Sequence, residues 1–299
     1  MTLQQLKYLV AVAECGHMTE AAEKLFIAQP SLTTAIRNLE KEMGITAFVR
    51  SNKGVEVTRE GEELLSYARQ LLEQADVMME RFQGDTHRKP HLSVSCQHYS
   101  FAVNAFIDLI RSYDSDQYNF ILRETQTYEI IDDVAVGRSE VGILYLSENN
   151  ESVLSKMIKK NDLVFEELFV AQPHVFLSDS HPLAQQDVIS VDELKDYPYL
   201  VFEQGKHNSA YYSEEFLSTL EFSKNIMVRD RATLFNFLIG LHGFTVSTGI
   251  IDQELNGPSI IARPLDVQCP MRVGFITAKN RILSRYAVSY LEALKTFKI

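Results

Sequence analysis

One group of polar side chains near the N-terminus has types and spacings suited to recognising double-stranded DNA. Short uncharged hydrogen-bonding groups and a single arginine recur within residues 29–38, between apolar residues at helical spacing. Such groups can bind base edges in a major groove and the phosphates beside it. The predicted DNA contacts in this segment are Gln29, Ser31, Thr33, Thr34, Arg37 and Asn38. Any solvated helix face is also polar, so the surrounding elements must decide between the two interpretations.

A second group of polar and aromatic residues follows predicted strands in the rest of the chain. Open α/β sheets bind ligands beyond the carboxyl ends of their strands, and helix N-termini there favour anions. Ser100 would cap the helix that follows it and offer donors to a bound carboxylate or similar group. The predicted ligand-binding residues are Gln97, His98, Tyr99, Ser100, Thr125, Thr127, Tyr145, Phe202, Glu203 and Thr245. Each alone is equally consistent with a cap or a satisfied surface group, and within the set we favour Ser100, Thr125 and Phe202.

The first group lies on the second of two short helices. The first helix is predicted to begin with Thr19 as its N-cap, and the second carries Pro30 in its first turn, where a missing N–H costs nothing. Leu32, Ile36 and Leu39 recur at three- and four-residue steps and must face a core. Two such helices with a tight connection form a helix-turn-helix.

A predicted hairpin follows this helix pair. Gly44 ends the second helix, residues 48–50 and 55–57 form two short strands, and a turn joins them. Arg50 and Lys53 would place positive charge on the phosphate backbone. A helix-turn-helix followed by a basic hairpin is a winged helix, and this context favours the DNA-binding interpretation.

Residues 1–61 resemble the N-terminal domain of a LysR-type transcriptional regulator. The matching motifs are Leu3-x-x-Leu6-x-x-Leu9, Thr19-x-Ala-Ala-x-x-Leu25, Gln29-Pro30, Ile36-x-x-Leu39-Glu40, Gly44, Phe48-x-Arg50 and Val57-Thr58-x-x-Gly61. Ala28 replaces the serine usual in the family, so the capping hydroxyl of the recognition helix is absent and Gln29 or Ser31 must substitute. Thr34 stands where many relatives have a charged side chain, so their base preference does not transfer.

A long amphipathic helix is predicted after the winged helix-turn-helix domain of residues 1–58. Over residues 59–83, apolar residues step by four and three, and a second apolar row widens the stripe. We expect this stripe to pair with the same helix of a second subunit, which implies a homodimer on an inverted-repeat operator. The alternative is that it packs on its own subunit. Turn formers and charges in residues 84–90 predict a hinge.

Beyond the hinge, strands and helices alternate, which predicts an α/β fold with mainly parallel pairing. Residues 209–221 are predicted to be one of the helices. The family resemblance implies a two-lobed effector domain similar to periplasmic binding proteins. On that likeness, lobe one comprises residues 91–164 and 267–299, and lobe two comprises residues 165–266.

The charge of the chain is unevenly distributed. The net charge is −11, yet residues 1–58 contain six basic and six acidic side chains, so the excess negative charge lies in residues 59–299. DNA affinity must therefore come from local placement of basic groups and from dimerisation, and it should be sensitive to salt.

Several other classes of protein lack their usual signals. The sequence contains no nucleophile elbow, phosphate loop, metal cluster or dinucleotide fingerprint, which argues against an enzyme and predicts no cofactor. A solute-binding protein would need an export signal and has no use for residues 1–61, and no membrane span is predicted. Three cysteines without disulfide or metal spacing suit a reducing cytoplasm.

These patterns predict a transcriptional regulator controlled by a small-molecule effector of unknown identity bound between the lobes. The resemblance implies assembly to a tetramer and contact with RNA polymerase. Cys96, at a predicted strand end, offers one alternative, a thiol-based redox-sensing regulator.

Overall fold

The computed structural model describes residues 1–51, 54–83, 90–113, 117–207, 209–252 and 256–297, and the chain divides into two compact units. The first unit holds the N-terminal helices and hairpin, with the short segments Ala135–Arg138 and Asn280–Ile282. Its elements are α1 (Leu3–Cys15), α2 (Met18–Lys24), α3 (Gln29–Met43), β1 (Phe48–Ser51), β2 (Gly54–Val57) and α4 (Arg59–Gln83).

The helix-turn-helix is formed by α2 and α3 as predicted. Leu32, Ile36 and Leu39 of α3 are fully buried against residues of α1 and α2, and losing such a side chain to alanine typically costs about 2–5 kcal/mol. Gly44 ends α3 in the left-handed conformation with φ 70°, which favours glycine. The predicted N-cap of α2 was wrong: the cap is His17, without a side-chain hydrogen bond, and Thr19 lies inside the helix.

The wing is an antiparallel hairpin in which Phe48 faces Val57. Its start is held by the Glu40 carboxylate, which accepts hydrogen bonds from the main-chain N–H groups of Ala47 at 2.9 Å and Phe48 at 3.1 Å. On the second strand, the Val55 N–H donates to the Gly16 carbonyl at 2.7 Å. The hairpin is therefore fastened both to the end of α3 and to the turn between α1 and α2.

The apolar stripe of α4 divides into two parts. Leu65 and Ala68 are buried in the core of the first unit, so this part packs on its own subunit, contrary to the prediction. Further along, Leu71 is 46% exposed and Met78 is 54% exposed, so these side chains remain available to a second copy. The side chain of Phe82 and residues 84–89 of the predicted hinge lie outside the described residues.

The second unit contains two lobes, each built on a sheet. The elements of lobe one are β3 (His91–Cys96), α5 (Ser100–Ser112), β4 (Asn119–Glu124), α6 (Thr127–Ala135), β5 (Val141–Leu146), α7 (Glu151–Lys160), β6 (Leu163–Ala171), β12 (Met271–Ala278) and α10 (Arg285–Leu294). Its five strands form a sheet of order β4-β3-β5-β12-β6, in which β3 pairs in parallel with β4 and β5, whereas β12 pairs antiparallel with β5 and β6.

The elements of lobe two are β7 (His174–Ser178), α8 (Val191–Leu194), β8 (Tyr199–Phe202), a 3-10 turn (Gly205–His207), β9 (Asn225–Val228), α9 (Arg231–Leu241), β10 (Thr245–Ser247) and β11 (Ile260–Pro264). Its strands form a three-stranded antiparallel sheet, β10-β7-β11, and a parallel pair, β8-β9. A bridge between Tyr199 and Phe244 joins the sheet and the pair.

Three details of the predicted α/β organisation were wrong. Pairing is mixed rather than mainly parallel, because β12 and β7 run antiparallel to their neighbours. The boundary between residues 164 and 165 cuts through β6, which belongs entirely to the sheet of lobe one. The predicted helix of residues 209–221 is a series of turns and bends where the structure describes it, because its side chains are held by tertiary contacts instead.

Candidate functional site

The face of α3 predicted to contact DNA lies open to solvent. Gln29, Ser31, Thr34, Arg37 and Asn38 are exposed, and Thr33 is half-buried. The helix begins at Gln29, and its N-cap residue Ala28 provides no side-chain hydrogen bond. No side-chain hydrogen bond of Gln29 or Ser31 replaces the missing hydroxyl within the described residues. The Thr34 hydroxyl donates to the Pro30 carbonyl at 2.9 Å, which orients its methyl and hydroxyl groups within the exposed face. The side chain of Arg50 and the whole of Lys53 lie outside the described residues.

A cavity lies in the second unit, between lobe one and lobe two. It has a volume of about 30 Å³, enough for a water molecule or two. Its walls come from the N-terminal end of α5, from β7, β8 and β10, from α9, and from the irregular segment after the 3-10 turn. The lining residues are His98, Tyr99, Ser100, Phe176, Phe202, Glu214, Glu215, Arg231, Leu234, Phe235, Thr245, Val246 and Ser247.

The carboxylate of Glu214 lies at the centre of a hydrogen-bond network that joins the lobes. Its Oε2 accepts from the main-chain N–H of His98 at 2.8 Å and lies 2.9 Å from Nδ1 of the same residue. Its Oε1 accepts from Nε2 of Gln204 at 3.2 Å. The His98 and Glu214 side chains are only 6% and 5% exposed, so this ion pair is shielded from solvent.

The neighbouring carboxyl group of Glu215 is bound within lobe two. Its Oε1 accepts from the main-chain N–H of Phe202 at 2.8 Å, and its Oε2 accepts from the Ser213 hydroxyl at 2.7 Å. Burial and the adjacent Glu214 charge raise the pKa of Glu215 to about 8, despite these hydrogen bonds. The group is therefore largely protonated near neutral pH.

Two further charged groups face this network. Nη2 of Arg231 at the start of α9 lies 3.1 Å from Oε1 of Glu124 at the end of β4, which forms a second ionic link between the lobes. Burial raises the pKa of Glu124, and the Arg231 charge opposes that effect. Burial alone would lower the pKa of His98, but Glu214, Glu124 and Glu215 together raise it above its usual value.

Five of the predicted ligand-binding residues come together in the cavity wall: His98, Tyr99, Ser100, Phe202 and Thr245. Ser100 and Thr245 are 4% and 5% exposed, and their hydroxyl groups form no hydrogen bond with any described residue. Ser100 is the first residue of α5 rather than its cap, which is Tyr99. The hydroxyl groups of Ser100 and Thr245, one from each lobe, are thus free hydrogen-bonding groups in this wall.

The other five predicted residues lie outside the cavity and support its frame. Gln97 Nε2 donates to Thr127 Oγ1 at 2.7 Å, and Gln97 Oε1 accepts from the Tyr145 main-chain N–H at 3.1 Å. The Thr125 hydroxyl donates to Glu129. Glu203 forms an exposed ion pair with Arg229. These contacts are made within the protein, and a role of the five residues in ligand binding stays a prediction.

Sequence reasoning missed Glu214, Glu215 and Arg231. Arg231 is the first residue of α9, and a basic residue at a helix N-terminus shortly after a strand was a usable signal. Glu214 and Glu215 gave no such signal, because their segment was predicted to be helical and the contact of Glu214 with His98 spans 116 residues.

Cys96 ends β3 with no exposed surface. Burial raises the pKa of its thiol well above the usual value, with smaller contributions from Glu124 and Glu214. A thiol without thiolate character reacts poorly with oxidants. Within the described residues no helix is long and apolar enough to cross a membrane, and no group of three or more acidic, cysteine and histidine side chains suits a metal ion.

Two family models match nearly the whole chain. Residues 3–62 match the bacterial regulatory helix-turn-helix protein of the lysR family, and residues 87–298 match the LysR substrate binding domain. These matches confirm the predicted order of a winged helix-turn-helix followed by a two-lobed effector domain.

Individual relatives are more distant. The chain is 27% identical over 253 residues to the HTH-type transcriptional regulator AlsR of Bacillus subtilis, covering 84% of this chain and 78% of that protein. It is 30% identical over 205 residues to the uncharacterized HTH-type transcriptional regulator YnfL of Escherichia coli, covering 67% and 65%. It is 26% identical over 208 residues to the DNA-binding transcriptional dual regulator OxyR of Escherichia coli, covering 69% and 65%.

Solved structures show the same fold. Full-length OxyR of Pseudomonas aeruginosa superposes with a TM-score of 0.70 at 22% identity, covering 99% of this chain and 98% of that one. Full-length CbnR, a LysR family regulator solved in complex with its target DNA, superposes with a TM-score of 0.58 at 18% identity, covering 99% of each chain. At this level of identity the likeness concerns the fold alone.

Proposed function

The chain belongs to the LysR family of transcriptional regulators, and from that membership we propose that a small molecule bound in the cavity between the two lobes controls its action on DNA. The protein is a DNA-binding transcriptional regulator with an effector-binding domain. The observation that carries the assignment of the cavity is its lining by Ser100 and Thr245, whose hydroxyl groups come from different lobes and have no partner among the described residues.

For DNA binding we propose that α3 enters the major groove. Its exposed face carries Gln29, Ser31, Thr34, Arg37 and Asn38, with Thr33 at its edge. Arg50 and Lys53 of the wing remain predicted phosphate contacts on sequence grounds alone. With one arginine on the recognition face, a single domain binds weakly, and affinity depends on a second copy.

For assembly we propose a homodimer formed through the exposed part of α4, around Leu71, Met78 and Met79. Two recognition helices related by a two-fold axis fit an inverted-repeat operator. Assembly to a tetramer, contact with RNA polymerase and a location in the cytoplasm follow from the family and belong to the same proposal.

We propose that effector binding changes the relative orientation of the lobes. A ligand shifts this equilibrium only by the difference in its affinity for the two arrangements. The change would alter the spacing of paired recognition helices and thereby the bend of the DNA.

Two measurements test this function together. Purified protein should bind its own promoter region in a fluorescence-anisotropy titration, and the metabolites that raise its thermal stability identify the effector. Ser100→Phe should abolish the response to that effector while DNA affinity persists, whereas Ser152→Phe, at an exposed position on α7, should leave both unchanged. A normal effector response in Ser100→Phe would rule out the cavity as the effector site. Failure of the wild-type protein to bind its promoter region would rule out the proposed DNA-binding function.

A thiol-based sensor is the second candidate, because relatives at 26–27% identity include hydrogen peroxide-inducible genes activators, one of them from Pectobacterium carotovorum. The burial of Cys96 and the raised pKa of its thiol weigh against this mechanism. We therefore rank it below an effector-controlled regulator.

A further inference from the structure

The cavity between the lobes is nearly filled by the protein's own side chains. About 30 Å³ remains in its partly open interior, room for a water molecule or two. The side chain of Glu214 forms hydrogen bonds across to the opposite lobe, at His98. Glu214 therefore holds the position that faces both lobes, and an effector that takes this position has to displace its side chain.

The contacts of Glu214 are those that any small carboxylate would make. A main-chain N–H of His98 donates to Oε2, the His98 ring lies against the same oxygen, and an amide donates to Oε1. Main-chain and side-chain donors converging on a carboxylate form strong charge-assisted hydrogen bonds. Nothing in this set of donors requires that the carboxylate belong to the protein.

Two hydroxyl groups next to this position have no partner among the described residues. Ser100 lies two residues after His98, and Thr245 faces the cavity from lobe two; both are more than nine-tenths buried. Each hydroxyl group is therefore able to donate to and accept from a molecule in the cavity. A molecule that takes the place of the Glu214 carboxylate lies within the cavity that both hydroxyl groups line.

A cationic effector is a poorer fit to the same cavity. Both oxygens of Glu214 already accept hydrogen bonds, and so do both oxygens of Glu215. The Glu124 carboxylate lies outside the cavity lining and faces Arg231, although its Oε1 has no hydrogen-bond partner among the residues that the structure describes. The two carboxyl groups that do line the cavity already accept hydrogen bonds, whereas the donors around Glu214 would become available if that side chain moved away.

We propose that Glu214 is a built-in ligand: its carboxylate occupies the position at the His98 main chain that the carboxylate of the effector takes, and the effector must displace it. The effector is accordingly a small carboxylate with further polar atoms for the hydroxyl groups of Ser100 and Thr245. This inference rests on the proposed role of the cavity, and it adds the chemical class of the ligand and the residue that keeps the cavity closed.

Displacement has a consequence for affinity and for signalling. An internal competitor raises the concentration of effector that is needed to half-saturate the cavity. Removal of the competitor lowers this concentration again by the same factor. When Glu214 leaves His98, a buried link between the lobes is lost and the segment that carries Glu214 is released. Occupancy by the effector is thereby coupled to the contact between the lobes.

Propionate is a suitable probe because it has the carbon chain and carboxylate of a glutamate side chain. The measurement is thermal unfolding of the full-length protein in a titration with sodium propionate, against sodium chloride at equal ionic strength and against neutral propionamide. The variants are Glu214→Ala, the isosteric Glu214→Gln, and Glu221→Ala as a control at an exposed glutamate nearby.

We expect Glu214→Ala to be stabilised by propionate at a concentration at least about tenfold lower than the wild-type protein requires, because the competing carboxylate is gone. Glu214→Gln keeps the shape and loses the charge, so its shift should be at least about threefold. Propionamide should have no effect, and Glu221→Ala should behave as the wild-type protein does. If Glu214→Ala does not fold, Glu214→Gln carries the comparison.

Equal propionate responses in the wild-type protein and the Glu214 variant that folds, or an equal effect of propionamide, would overturn the proposal. Promoter binding is measured on the same samples to separate the two levels of inference. If the proteins bind DNA but Glu214→Ala shows no gain in sensitivity to propionate, only the built-in ligand is refuted. If the wild-type protein does not bind DNA, the proposed function is refuted.

Discussion

The imidazole ring of His98 stacks on the phenyl ring of Phe202, with ring centroids 3.8 Å apart and planes inclined by 7°. His98 lies two residues after the last residue of β3 in lobe one, and Phe202 is the last residue of β8 in lobe two. Each of these residues also donates its main-chain N–H to one of two adjacent glutamates. One pair of strand ends thus joins the lobes through rings, main chain and carboxyl groups together.

Removal of the Phe202 ring should weaken this contact. We expect Phe202→Leu to unfold at a lower temperature than the wild-type protein, because an aromatic pair contributes about 0.5–1.5 kcal/mol beyond the apolar area that leucine retains. Phe202→Ala loses apolar area as well and should unfold at a lower temperature still. Differential scanning calorimetry of the full-length proteins measures both, and equal melting temperatures for Phe202→Leu and the wild-type protein would show that stacking contributes nothing.

Arg37 is the only basic side chain among the predicted contacts on α3. Replacement by alanine should lower affinity for all DNA sequences and reduce the slope of log K against log salt by about 1, because one phosphate contact is lost. Lys24→Ala is the matched control, since Lys24 pairs with Glu14 at 2.9 Å within the first unit. Anisotropy titrations at several salt concentrations provide the slope. An unchanged slope in Arg37→Ala would show that Arg37 does not contact a DNA phosphate.

Gly61 is required by a close approach of main chain. A Cβ at this position would lie 2.1 Å from the carbonyl oxygen of Ala47, whereas a Cβ at Gly240 on α9 meets no atom within 4 Å. We expect Gly61→Ala to destabilise the first unit by about 2 kcal/mol or more, and Gly240→Ala to stabilise the second by up to about 1 kcal/mol. Urea unfolding of each variant measures its change in the free energy of unfolding. No loss of stability in Gly61→Ala would show that the chain near Ala47 shifts to make room for the Cβ.

Protonation of Glu215 should make stability depend on pH. Its pKa is about 8 in the folded protein, above its ordinary value of 4.5, so its protonated form favours folding. This contribution is complete below pH 4.5 and is lost as the pH rises toward 8. Glu215→Gln mimics the protonated group, so its stability relative to the wild-type protein should increase between pH 5 and pH 8.

Urea unfolding at the two pH values tests this directly. His98 has a raised pKa that acts in the same direction, but it is present in both proteins and its effect largely cancels in the difference. Glu221→Gln, at an exposed position, serves as the control. A constant difference between Glu215→Gln and the wild-type protein would mean that Glu215 ionises normally.

Cys96 should resist chemical modification in the folded protein. Cys15 and Cys269 are partly exposed, whereas Cys96 is completely buried and the pKa of its thiol is raised. Iodoacetamide or mild peroxide should therefore modify Cys96 much more slowly than Cys15 or Cys269, and at an equal rate after unfolding in guanidinium. Peptide mass spectrometry follows each site. Rapid modification of folded Cys96 would favour the redox-sensing alternative.

Local sequence pattern was sufficient for the DNA-binding domain. The spacing of Leu32, Ile36 and Leu39, the proline in the first turn and Gly44 at the end act over a few residues, so helix and turn follow from neighbours in sequence. The strand ends His98 and Phe202 were predictable for a similar reason, because the alternation of strands and helices indicates where each strand stops.

The occupant of the cavity depended on tertiary structure. Glu214 meets His98 across 116 residues, and its segment was predicted to be a helix, so no periodicity indicated where its carboxylate would lie. The side chains of the predicted ligand residues Gln97 and Thr127 form a hydrogen bond with each other. This contact also joins segments that are distant in sequence, so the local pattern did not indicate it. The packing of the lobes determines which donors and acceptors of distant segments meet. It therefore also determines which polar groups at the strand ends remain free for a ligand.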